Sequence, residues 1–146
     1  MSTTKSFEHV VRFVRVQTPT GTIHLPLVSV HLIQPNGTRI GLSLLFDTGA
    51  SVTTLRSELY PMLGLQRWDE GQAVETETAG GKQSVTNYRY NARLEVFGKV
   101  VDCPVHLAEL PSNPLYVGLL GREGLFSSFG FGFWESTTEL LATVSP

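Results

Sequence analysis

Apolar residues recur along this chain at the two-residue spacing of half-buried strands. The plainest run is Tyr88, Tyr90, Ala92, Leu94 and Val96, alternating with Arg89, Asn91, Arg93 and Glu95. After a Phe97-Gly98-Lys99 turn, the period resumes in Val101, Cys103, Val105 and Leu107. Upstream, Val10 to Val16 predicts a first strand, closed by Thr18-Pro19-Thr20-Gly21. Ile23 to Ile33 predicts a second, in which Pro26 demands an edge or a bulge. Pro35-Asn36-Gly37 predicts a tight turn, and Ile40 to Phe46 a third strand running straight into Asp47-Thr48-Gly49-Ala50.

Helical spacing is scarce. Leu55, Leu59, Met62 and Leu63 suggest a short helix or turn over Arg56–Leu65, interrupted by Pro61, and Arg122–Phe129 is the better short-helix candidate. Residues 66–84 are polar, with Ala79-Gly80-Gly81-Lys82 placed as a hairpin tip between β-compatible arms. A loop at 110–114 leads to a strand over Leu115–Gly121, and Phe131, Phe133, Leu140, Leu141 and Val144 supply the last apolar elements. No repeat or linker divides the 146 residues, so the pattern predicts one all-β domain with short strands.

Charge narrows the chemistry. Eleven Lys and Arg against 13 Asp and Glu leave a net charge of -2 and no basic stripe to follow phosphates, which disfavours nucleic acid and anionic membranes as partners. No apolar run reaches the length of a membrane span and the N-terminus has no long apolar stretch, so a soluble, cytoplasmic protein is expected. One cysteine, Cys103, excludes an intrachain disulfide and reads as a core side chain. His9, His24, His31 and His106 show neither metal-ligand spacing nor a nucleophile partner, so no metal and no cofactor are expected.

The candidate chemistry sits at Asp47. A carboxylate closes a strongly apolar strand, Thr48 sets a hydroxyl beside it, and Gly49 permits a sharp turn. An isolated Asp-Thr-Gly is ordinarily a β-turn with a capping carboxylate. Here a second apolar, glycine-bearing segment, Leu119-Leu120-Gly121-Arg122, follows downstream. Together these segments resemble the active-site signature and the downstream hydrophobic-hydrophobic-Gly-Arg element of retroviral-type (retropepsin-like) aspartic proteases. The order of N-terminal strands, Asp-Thr-Gly loop, glycine-rich flap and paired strands matches over about residues 20–130.

The resemblance implies a small closed, β-barrel-like, pepsin-type single lobe with one short C-terminal helix, working as a C2 homodimer on an extended polypeptide. It implies a protease domain over 20–146, preceded by an extension, 1–19, that carries the first strand. Asp47 would be catalytic. Thr48 would hold the two loops together across the dimer axis, and Gly49 would leave room for substrate and help bind it. Ala79, Gly80 and Gly81 would lie at the flap tip over the substrate, while Ala50, Leu119, Leu120 and Gly121 would support the catalytic loop. The other aspartates are Asp69, in a polar turn, and Asp102, facing outward on its strand; neither precedes Thr-Gly or Ser-Gly. The second carboxylate is therefore expected from Asp47 of another copy.

Two departures qualify the resemblance. Ser51 stands where many retroviral enzymes carry an acid that pairs with the arginine in the position of Arg122, so that ion pair cannot form in the usual way. Ala50 lacks the hydroxyl of pepsin-like enzymes that stabilises an ionised carboxylate, which predicts a mildly acidic pH optimum. Two competing readings stand beside the enzyme. One is a catalytically weak peptide-binding or dimerisation module with the same fold. The other is a monomeric β-barrel for an apolar ligand, in which Asp-Thr-Gly is only a turn.

Overall fold

The computed structural model of the chain describes residues 7–77, 80–81 and 83–145. Its regular structure is almost entirely extended. The run expected as one strand over Val10–Val16 divides into β1 (His9–Arg12) and β2 (Val14–Thr18). Phe13 makes the break: its side chain is buried in the core, and its amide donates to the Thr138 carbonyl at 2.9 Å. The next run divides at Pro26, which has no amide for a ladder, into β3 (Gly21–Leu25) and β4 (Leu27–Ile33). β3 pairs with β2, and the Pro26 carbonyl accepts the Phe46 amide at 2.9 Å.

β5 (Arg39–Phe46) returns antiparallel to β4 through the Asn36-Gly37 turn, where Gly37 takes φ +86°. β6 (Thr53–Arg56) follows the Asp47 loop. The helix-or-turn expected over Arg56–Leu65 is a 3₁₀ helix, Ser57–Leu63, which accommodates Pro61 and ends at Gly64 with φ 76°. β7 (Gln72–Glu77) and β8 (Ser84–Val96) form a hairpin whose end carries Gly80 and Gly81. β9 (Lys99–Ala108) pairs antiparallel with β8, and β10 (Gly118–Leu120) is shorter than the strand expected there.

These strands form one sheet in the order β4-β5-β10-β6-β9-β8-β7, and β4 also pairs with β8 at His31↔Glu95 and Leu32↔Leu94. The core fills from alternate positions: Val28, Val30 and Leu32 of β4, Leu44 of β5, Leu55 of β6, Leu94 and Val96 of β8, Val105 and Leu107 of β9, and Leu120 of β10 are at most 1% exposed. Each such side chain contributes about 1.5–3 kcal/mol by leaving water, which ties all these strands to one interior. A second sheet, β1-β12-β11, is built from β11 (Phe129–Trp134) and β12 (Glu139–Val144) with β1.

The fold is thus mostly β with limited helix, but the helix expected over Arg122–Phe129 does not form. The segment folds as overlapping turns, with the amides of Leu125 and Phe126 both donating to the Arg122 carbonyl at 3.1 and 2.9 Å. Gly124 adopts φ +80°, a left-handed conformation that no right-handed helix propagates. It is pressed so close to β9 that a Cβ there would come within 2.5 Å of the Cys103 Cβ.

Candidate active site

The Asp47 loop joins β5 to β6, and β10 is inserted between those two strands. β10 runs parallel to β5, with Leu119 opposite Leu45 and Leu120 opposite Phe46, and antiparallel to β6, with Leu119 opposite Thr54. The loop is therefore hung from the end of β10. The Asp47 amide donates to the Leu120 carbonyl at 3.1 Å, and the Arg122 amide donates to the Ala50 carbonyl at 3.0 Å. The Glu123 amide donates to the Ser51 carbonyl at 2.8 Å. Inside the loop, the Ala50 amide reaches the Asp47 carbonyl at 3.2 Å and the Gly49 amide reaches Asp47 Oδ1 at 2.9 Å. One carboxylate oxygen is thus held by the turn itself.

Sterics require glycine at position 121 and crowd position 49. A Cβ on Gly49 would stand 3.2 Å from Asp47 Oδ1, and one on Gly121 would come within 2.6 Å of the Val52 carbonyl oxygen and 2.7 Å of the Thr53 nitrogen. The Gly121 amide donates at 3.0 Å to Thr53 Oγ1, a buried bond between the two ends of the constellation. Thr48 and Gly49 are exposed, while Asp47 and Ala50 are half-buried. Alternation sets the face on which this occurs. Leu44 and Phe46, Leu120, and Thr53 and Leu55 point inward, so Leu45, Asp47, Leu119, Thr54 and Arg56 project from the opposite side.

The structure brings Asp47, Thr48, Gly49, Ala50, Leu120 and Gly121 into one bonded unit, with Leu119 on the adjoining face. Gly80 and Gly81 occupy the exposed end of the β7–β8 hairpin at φ +99° and +66°, with open space where a side chain would project. Ala79 lies outside the described residues. Arg122 has no acid at Ser51 to pair with; it is exposed and its guanidinium lies 5.7 Å from the centre of the Phe126 ring. Ser51, Arg122, Glu123 and Phe126 border an open depression of about 410 Å³ beside the loop.

The remaining aspartates are engaged elsewhere. Asp69 accepts from Arg67 at 2.9 Å, a bond that lowers its pKa below the ordinary carboxylate value, and Asp102 accepts from Arg93 at 3.2 Å. Burial pushes the Cys103 thiol up to about 11, so it stays protonated and inert. His31 lies 3.4 Å from Glu95 and His9 stacks at 5.2 Å on Phe97, while His24 is exposed. His106 is buried in β9 opposite Thr54, and burial, followed by the Arg89 charge, lowers its pKa. Among the described residues, no group of three or more His, Cys, Asp or Glu is placed to hold a metal ion, and no helix is long and apolar enough to cross a membrane.

Three contributors carry no individual sequence signal. Thr53 is one threonine among many, yet its hydroxyl receives Gly121. Arg89 Nη2 donates to Glu123 Oε1 at 2.9 Å, tying the β8 arm of the hairpin to the segment that supports the loop. Arg56 lies only 16% exposed at the end of β6, where its Nη2 donates to both oxygens of Glu58 at 2.9 and 2.8 Å. The first two could have been sought as a hydroxyl and a charge pair flanking the motifs, but nothing local marks their partners.

Among the solved structures, EIAV protease complexed with the inhibitor HBY-793 is 24% identical over 67% of this chain and 82% of its own, with a TM-score of 0.47. No curated protein matches the sequence. The family model described as aspartyl protease matches residues 28–123, from β4 through the Asp47 loop to the Gly121-Arg122-Glu123 segment. The chain belongs to the aspartyl protease family.

Proposed function

We propose that this protein is an aspartic endopeptidase that hydrolyses peptide bonds of extended polypeptides as a C2 homodimer. The observation that carries the proposal is the Asp47 loop: one half-buried carboxylate, fixed by the Gly49 amide and hung from Leu120, at the edge of an open face. A single chain supplies half a site, because Asp69 and Asp102 are committed to arginines away from the loop. Two copies related by a two-fold axis through exposed Thr48 would set their Asp47 carboxylates together. Such a pair holds one proton between its members. The ionised member takes a proton from a bound water, whose oxygen attacks the peptide carbonyl carbon while the protonated member gives its proton to the carbonyl oxygen. Collapse of the tetrahedral adduct, with protonation of the nitrogen, breaks the C–N bond.

The rest of the chain has a place in this scheme. Gly49 presents backbone to the substrate, and the β7–β8 hairpin with Gly80 and Gly81 closes over it and excludes water. Ala50, Leu119, Leu120 and Gly121 keep the loop in position. The reading of the lobe as a closed barrel is supported by the β4–β8 pairing, which returns β4, at one end of the strand order, to β8, the last strand but one. Residues 20–146 form the protease domain, and 1–19 are an extension whose strand β1 pairs with β12. The β1-β12-β11 sheet supplies dimer contacts: Val10, Phe133, Trp134 and Val144 are all more than 40% exposed on it. No cofactor enters the scheme, and a cytoplasmic setting suits an enzyme whose single cysteine is a reduced core residue.

The test is turnover of casein and of a peptide library from about pH 3 to 8 by the wild type and by Asp47→Asn. Cleavage by the first and none by the second supports the proposal. Specific peptide binding without cleavage anywhere in that range would make the protein a binding module instead.

A further inference from the structure

On the reading just proposed, a substrate lies across the face from which Asp47, Leu119, Thr54 and Arg56 project. That face holds a cavity of about 230 Å³ between the end of β6, β10 and the 110–117 segment. Its wall includes Leu110, Val117 and Leu119, and Arg56 is the one charged residue among those that line it. The Arg56 main chain is fixed there, its amide donating to the Val117 carbonyl at 3.0 Å.

The guanidinium is half used. Nη2 is held by Glu58, which sits outside with 66% of its side chain exposed. Nε is buried and has no hydrogen-bond partner. Another acceptor on the cavity wall, Asn113 Oδ1, is already taken by the Leu115 amide at 2.8 Å. A buried donor without an acceptor is costly, and a guanidinium presents Nε–H and Nη–H as a fork matched to a carboxylate. The apolar wall suits the methylene stem of a side chain, and the arginine suits its acidic end.

We infer that this cavity is a subsite for an acidic side chain of the peptide substrate, whose carboxylate displaces Glu58 from Arg56 Nη2 and, as the guanidinium turns toward it, takes the covered Nε–H into the same two-pronged bond. The inference rests on the proposed peptide-cleaving function for the substrate's path, but its test reads binding alone. Glu58 then acts as a stand-in that keeps the arginine oriented while the cavity is empty.

The probes are the capped peptides acetyl-Ala-Glu-Ala-amide and its Gln and Leu counterparts, titrated into 15N-labelled wild-type protein. The Arg56 Nε–H signal, identified by its loss in Arg56→Lys, is followed by NMR. The Glu peptide is expected to shift that signal and to bind on the order of tenfold more tightly than the Leu peptide, the step a charge-assisted bond supplies. Arg56→Leu should bind all three peptides alike, and Arg56→Lys should keep only part of the preference. Glu58→Gln should bind the Glu peptide more tightly than wild type. An unmoved Nε–H signal, equal binding of the three peptides by wild type, or a preference that survives in both Arg56 variants overturns the inference. Failure of the protein to hydrolyse peptides would strike the proposed function and leave this result standing.

Discussion

Replacing Thr53 by valine isolates the strut beneath the Asp47 loop. The two side chains are nearly equal in shape, so the substitution removes a hydroxyl and adds no cavity. The hydroxyl oxygen accepts the Gly121 amide at 3.0 Å, and Thr53 is 1% exposed beside a buried Gly121. Water cannot replace the lost acceptor, so the amide is left unsatisfied at a cost of about 1–3 kcal/mol. With a urea dependence of about 2 kcal/mol/M for a domain of this size, the unfolding midpoint should fall by roughly 1 M at unchanged slope. Thr53→Ser keeps the hydroxyl and loses one methyl, costing about 1 kcal/mol. Hydrogen exchange separates the two mechanisms: the Gly121 amide should exchange much faster relative to global unfolding in Thr53→Val, and remain protected in Thr53→Ser. A Thr53→Val protein with the wild-type midpoint and an equally protected Gly121 amide would refute the role assigned to this bond.

His106 is expected to limit acid stability: burial sets its folded value below the ordinary 6.5, so its contribution is fully present above that pH and is lost as the pH falls through the folded value. Thermal midpoints should therefore drop more between about pH 7.5 and 5 for wild type than for His106→Asn, and equal drops would contradict this. Cys103, with a thiol at about 11, should resist an aromatic disulfide reagent in the native state and react once unfolded in urea. Rapid native-state reaction would show the thiol to be accessible. The proposed dyad lacks a hydroxyl at Ala50, so its pH–rate profile should peak in the mildly acidic range and move to lower pH in Ala50→Ser. A wild-type peak well below about pH 4 would reject that reading.

What the chain discloses by itself is decided by whether a feature is local. The Leu42-Leu44-Phe46 alternation states both that β5 is a strand and that Asp47 leaves it at a turn, because period two and glycine chemistry act over a few residues. The same holds for β8, whose Ala92, Leu94 and Val96 are buried as their spacing requires. Phe13 was invisible in this way: it belongs to an apolar run, and only contact with Thr138 far along the chain turns it inward and divides the strand. Arg122–Phe129 has helical spacing, but the approach of Gly124 to Cys103 outweighs it. At the site, Gly121 could be read from its motif, whereas its partner Thr53 lies 68 residues away and Arg89 lies 34 residues from Glu123. Insertion of β10 between β5 and β6, which hangs the loop, is a property of topology and has no signature in either strand.

The most direct test of the central claim, that each copy brings one Asp47 to a shared site, is a subunit-mixing titration. Wild-type protein at fixed concentration receives increasing Asp47→Asn protein, and peptide cleavage is followed after re-equilibration. Mixed dimers carry a single carboxylate, so activity should fall steadily toward zero as the variant reaches large excess. Cleavage that stays constant however much Asp47→Asn protein is added would show that one chain holds a complete site, and would contradict the account.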